Sequence, residues 1–185
     1  AVTPLLRFYP DYDMSFFLGY VTCIPAYAHF LLRVETSFAH HVRHVYSCLV
    51  NRETYAQIHL AKEQLLEAMN RDFVGLLKVQ LPVSMLSIYF APEILTALKL
   101  PLHQSHIFQL STLTSLGIVM LQVQILYLLY FDRPAAAAIP ALLYAALNAL
   151  FTWLTIKVGY GLYGLGHLAA AFTAATVGVM LNART

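Results

Sequence analysis

Along the chain the apolar positions gather into five long runs, separated by short polar joints and one long charged stretch. A bilayer core about 30 Å thick takes roughly 20 helical residues at 1.5 Å rise each. The runs 14–32, 73–91, 107–131, 134–156 and 162–181 meet that length and predict five transmembrane helices. Lys78, Gln80 and Pro82 interrupt the second run, which predicts a tilted or kinked span. Between the first two runs, residues 36–72 change period. Phe38, Val42, Val45 and Leu49 follow helical spacing, and Ile58, Leu65 and Met69 continue an apolar stripe after a break at Asn51-Arg52-Glu53-Thr54. Two amphipathic helices are expected, with Thr54 as N-cap of the second, lying on the membrane surface or against other loops. The fold class is therefore an all-α integral membrane protein. Residues 1–185 form a single membrane domain in this reading, with 36–72 as a cytoplasmic connection.

Composition strengthens this picture. The chain is 59% hydrophobic and 11% charged, against about 45–50% and about 25% for soluble domains. Of the charged residues, six basic and five acidic ones fall within 33–78. That near balance leaves no basic face for nucleic acid. If 36–72 is cytoplasmic, that side also holds Arg33, Arg43, Arg52, Lys62, Arg71, Lys78, Arg133 and Arg184, against Arg7, Lys99 and Lys157 outside. The positive-inside rule then starts the first span outside and ends the chain inside. The opening AVTPLLRFYPDYD lacks the basic-then-apolar pattern of a signal peptide. Both ends stop beside spans, and an odd span number suits the C-terminal part of a longer protein.

Sites of soluble chemistry are poorly supported. Cys23 and Cys48 are too few and too different in setting for a disulfide framework or thiolate zinc site. Gly159, Gly161 and Gly164 match G-x-G-x-x-G, yet they join two spans instead of following a strand, as a dinucleotide fold requires. His40, His41, His44 and His59 lack an H-E-x-x-H pattern, and the span interiors hold no carboxylate pair. No enzyme, cofactor or metal is expected.

The spans instead carry scattered polarity: Thr22, Tyr27 and His29; Lys78 and Gln80; Gln109, Ser111, Ser115, Gln122 and Gln124; Asn148, Thr152 and Thr155; His167, Thr173 and Thr176. At bilayer depth such groups face a bundle interior or an aqueous cavity. Pro25, Pro82 and Pro140 add kinks. Two ridges of small residues at spacing four, Ala137, Ala141, Ala145 and Ala149 and then Gly166, Ala170, Ala174 and Gly178, predict close helix packing.

The strings LRFYPDYDMSFF and FLLRVETSFAHHVRHVY, followed by the amphipathic segment, resemble the Pel exopolysaccharide transporter family (PelG), a branch of the MOP flippase superfamily. The likeness is sharpest at Tyr9 to Asp13 and at Arg33 to Thr36, and it implies helices eight to twelve of a twelve-helix flippase. It further implies export of a hexosamine-rich biofilm polysaccharide across a bacterial inner membrane, beside a cytoplasmic glycosyltransferase and other inner-membrane Pel subunits. A sugar polymer needs a wall that replaces its hydrogen bonds to water. Tyr27, Gln122, Gln124 and Asn148 are the transport-path candidates, with Arg33 and Lys78 near the cytoplasmic mouth, where they meet polar substrate groups or pair with Glu35. The competing reading is that these polar groups hold the bundle together. A different class of function, a non-transporting scaffold that docks a cytoplasmic partner on the amphipathic helices, also fits residues 36–72.

Overall fold

A computed structural model describes residues 10–33, 36, 38–159 and 162–183. Arg7, Tyr9, Glu35, Gly161 and Arg184, used above, lie outside the described residues. Eight α-helices follow one another: α1 (Pro10–Val21), α2 (Ile24–Arg33), α3 (Ala39–Val50), α4 (Tyr55–Tyr89), α5 (Ala91–Ala97), α6 (Ser105–Tyr130), α7 (Pro134–Val158) and α8 (Leu165–Asn182). Among the described residues there is no strand, and the protein is an all-α membrane protein. Tyr12–Arg33, Leu102–Tyr130, Pro134–Val158 and Leu165–Asn182 are long and apolar enough to cross a membrane. The remaining predicted span, 73–91, falls in the pair α4 and α5, which meets the same test only together and is bent by 71°, as a broken span or a re-entrant loop is. Its helix runs through Lys78, Gln80 and Pro82 and breaks only at Phe90, followed by Pro92 in the first turn of α5. Proline there loses no helical hydrogen bond, since the first turn has none to give.

The joints follow local chemistry. Thr54 is the N-cap of α4: its carbonyl accepts from Gln57 and Ile58, and the Gln57 Oε1 accepts from the Thr54 backbone N–H at 2.9 Å and from its hydroxyl at 2.6 Å, half of a capping box. The ends of α3, α5 and α6 share another device. Arg52, Lys99 and Asp132 take left-handed φ of 52°, 57° and 55°. The residue after each bonds back to Cys48, Leu95 and Leu128, closing Schellman motifs. Between α7 and α8 the glycine run supplies a φ of 125° at Gly159 and 94° at Gly164. It is a helix-to-helix turn, and no strand precedes it.

Packing divides the chain into two compact units, Ala1–Cys23 with Val83–Thr185, and Ile24–Pro82. In the first, α6 is the central helix and packs against α1, α7 and α8. Its buried Ser111, Thr112, Thr114 and Ser115 each donate to a carbonyl three or four residues earlier, which satisfies the hydroxyl without a partner helix. Close approach sets the α1–α6 and α7–α8 contacts. A Cβ on Gly19 would lie 2.0 Å from Ser111 Oγ, and one on Gly166 would lie 2.6 Å from the Phe151 backbone. Gly166, Ala170, Ala174 and Gly178 are all buried along α8. On α7, Ala137 is buried while Ala141, Ala145 and Ala149 are exposed, because α7 offers α8 a different stripe that includes Tyr144, Asn148 and Phe151. The second unit holds α2, α3 and the first part of α4, with Ala26, Phe30, Phe38, Val42, Cys48, Leu65 and Leu76 buried.

Candidate functional site

Two side-chain ladders at spacing four meet in the first unit. On α1, Tyr12, Phe16 and Tyr20 form a continuous aromatic stack, with successive ring centroids 5.1 Å apart. On α7, Tyr144, Asn148 and Thr152 repeat the same interval. Residues four apart lie on one helix face, so each helix turns a ladder toward α8.

His167 of α8 joins them. Its Nδ1 lies 2.8 Å from Asn148 Oδ1, and its Nε2 faces both Tyr20 Oη and Tyr144 Oη, the latter at 3.1 Å. Thr152 Oγ1 also donates to Asn148 Oδ1, at 3.2 Å. An amide oxygen can only accept, so the network assigns the ring proton to Nδ1 and leaves Nε2 to accept from a tyrosine hydroxyl. The imidazole is thereby bonded at both nitrogens, and one side chain ties α1, α7 and α8. Phe16 covers it edge-on, with centroids 5.1 Å apart.

Next to this network lies a cavity of about 250 Å³ lined by Tyr12, Thr152, Thr155, Ile156, Tyr163 and Gly164. Tyr12 and Thr152 belong to the ladders, so the cavity and the network share a wall. Tyr163 stands edge-on to Tyr12, with centroids 6.3 Å apart. Aromatic faces and neutral hydroxyls make a wall without formal charge. Such a surface suits a ligand that is amphipathic and rich in hydroxyls.

The transport-path candidates are dispersed. Asn148 is in the network. Gln124 is buried on α6, where its Oε1 accepts from Asn182 Nδ2 at 2.8 Å, while Gln122 is exposed on the same helix. Tyr27, Arg33 and Lys78 belong to the other unit, Tyr27 half-buried and the two cations exposed. Sequence reasoning missed Tyr12, Tyr20, Tyr144 and Tyr163, and it left His167 as one polar residue among many. The signal was present as two ladders of interval four. Among the described residues, no three His, Cys, Asp or Glu side chains come together as a metal-holding group.

Fold and site together define a multi-pass α-helical membrane protein with a polar-aromatic cavity between its helices. Over residues 1–185 the chain matches the family described as PelG, "Putative exopolysaccharide Exporter (EPS-E)", and it belongs to that family. No curated protein and no solved structure gives a significant match.

Proposed function

We propose that the chain is part of the path by which a hexosamine-rich polysaccharide leaves the cytoplasm across a bacterial inner membrane, in the manner of a MOP-type flippase. Family membership carries this reading, and the cavity at Tyr12, Thr152, Thr155 and Tyr163 supports it chemically. A sugar unit loses hydrogen bonds to water at bilayer depth, and each uncompensated hydroxyl costs roughly 1–3 kcal/mol. Threonine hydroxyls replace those bonds, and tyrosine rings cover the apolar face of a pyranose. Asn148 lies beside this wall; Gln122 is a further path candidate in the same unit, and Tyr27, Arg33 and Lys78 are candidates in the other. In the same reading residues 36–72 face the cytoplasm and meet the glycosyltransferase and other subunits of the export assembly.

The test pairs export with folding. Thr152→Val and Tyr163→Leu each remove about one hydrogen bond or one stacking face, worth about 1 kcal/mol or roughly a fivefold change. Polymer export by cells should fall by that order, and by more than any loss of folded protein, which for Thr152→Val includes its bond to Asn148 Oδ1. If every export defect tracks loss of folded protein, the cavity does not bind sugar.

One observation favours the scaffold alternative. Tyr46, Leu49, Val50 and Tyr55 are large apolar residues exposed around the α3–α4 joint. Under that reading, charged replacements there abolish partner recovery, and the cavity variants export normally.

A further inference from the structure

Asp72 is a carboxyl group in an unusual position. It lies on α4 with only 2% of its surface exposed, and neither oxygen has a hydrogen-bond donor among the described residues. An ionised carboxylate in that state is costly, because burial removes water without supplying a replacement. Basic side chains act on it electrostatically without a hydrogen bond to either oxygen. Arg33 and His29 act on it from α2, His41 from α3, and Arg71 from its own helix. His29 packs against the next turn of α4: a Cβ on Gly75 would lie 3.2 Å from its Nε2.

We propose that Asp72 is a proton-binding site. In the arrangement described here the carboxyl is the neutral acid, which desolvation favours. The proton leaves to water when a shift of α2 or α3 brings Arg33, His29 or His41 into hydrogen-bonding reach, where the carboxylate gains a charge-assisted partner. Two states follow, a protonated one in which α4 stands without an ion pair and an ionised one in which it is paired. This inference uses only residues of the second unit and does not rest on the sugar-binding reading.

The experiment is infrared difference spectroscopy of the full chain in lipid nanodiscs across pH, with isotope-labelled aspartate, on wild type and Asp72→Asn. We expect a carboxylic-acid carbonyl band that persists to higher pH than the other aspartates and is missing in Asp72→Asn. Thermal unfolding supplies the second readout. A carboxyl that holds its proton more tightly folded than unfolded stabilises most at low pH and loses that contribution as pH rises from about 4 through its folded-state value. Wild type should therefore lose Tm over that window, and Asp72→Asn, which mimics the neutral acid, should lack that loss. Should the asparagine variant not fold, Asp72→Glu should replace the labelled carboxylic-acid band with an unlabelled one. No band specific to Asp72, or an Asp72→Asn protein with the wild-type pH profile, overturns the proposal.

Discussion

Lys99 and Asp132 close their helices in a backbone conformation that favours glycine. A side chain in the left-handed region costs about 1 kcal/mol relative to glycine, which has no Cβ to clash. Lys99→Gly and Asp132→Gly should each raise unfolding stability by up to about 1 kcal/mol, read as a higher Tm in detergent. Gly19 is the opposite case. Its Cβ position is already occupied by Ser111 Oγ, so Gly19→Ala must part α1 from α6 and should cost about 1–3 kcal/mol. The same measurement checks both signs, and an unchanged Tm for Gly19→Ala would mean that the two helices have room to separate.

Helix packing tests a choice between stripes. Ala170 is fully buried on α8, and leucine there overfills the contact by about 1–3 kcal/mol. Ala145 is exposed on α7, so Ala145→Leu should leave folding intact; a loss equal to that of Ala170→Leu would place a partner helix on that face. His167→Phe keeps the ring's bulk and removes its nitrogens, leaving the hydroxyls of Tyr20 and Tyr144 with only each other and the Asn148 amide oxygen with only Thr152. Loss of about 1–3 kcal/mol is expected, with Tyr144→Phe costing less because Tyr20 still reaches Nε2. The reason these elements were only partly legible lies in what spacing encodes. Apolar length reveals spans and small-residue spacing reveals a stripe able to pack, and both are properties of one helix. Which stripe α7 turns inward depends on the aromatic ladder of α1 and on His167 of α8, hence on three segments distant in sequence. The break at 51–54 and its Thr54 cap were legible because a capping box closes within four residues. The bend at Phe90 was not, since Pro82, the stronger local breaker, is absorbed into α4.

At the scale of the molecule, the distribution of charge makes a topological prediction. Arg52 sits in the exposed joint between α3 and α4, and Cys23 and Cys48 are both buried, which keeps background labelling low. An Arg52→Cys protein in intact cells should resist an impermeant thiol reagent and react once the inner face is opened. Strong modification from outside would invert the orientation drawn from Lys and Arg asymmetry.

The α1–α6 interface has a mechanical meaning that its chemistry alone does not announce. The hydroxyls of Ser111, Thr112, Thr114 and Ser115 are already satisfied by their own helix, and Thr22 likewise bonds Gly19. Cross-helix links such as Thr22 to Ser115, at 3.2 Å, are additions to that internal pairing. Beyond Ser15, whose hydroxyl donates to Gln104 Oε1 at the start of α6 at 2.6 Å, translation of α1 along α6 strands few polar groups, and the surface acts as a bearing whose friction is steric. The His167 network cannot behave so, because its bonds run between helices and break together. A shear step in this unit would have α1 glide on α6 while His167 acts as the latch that must open first.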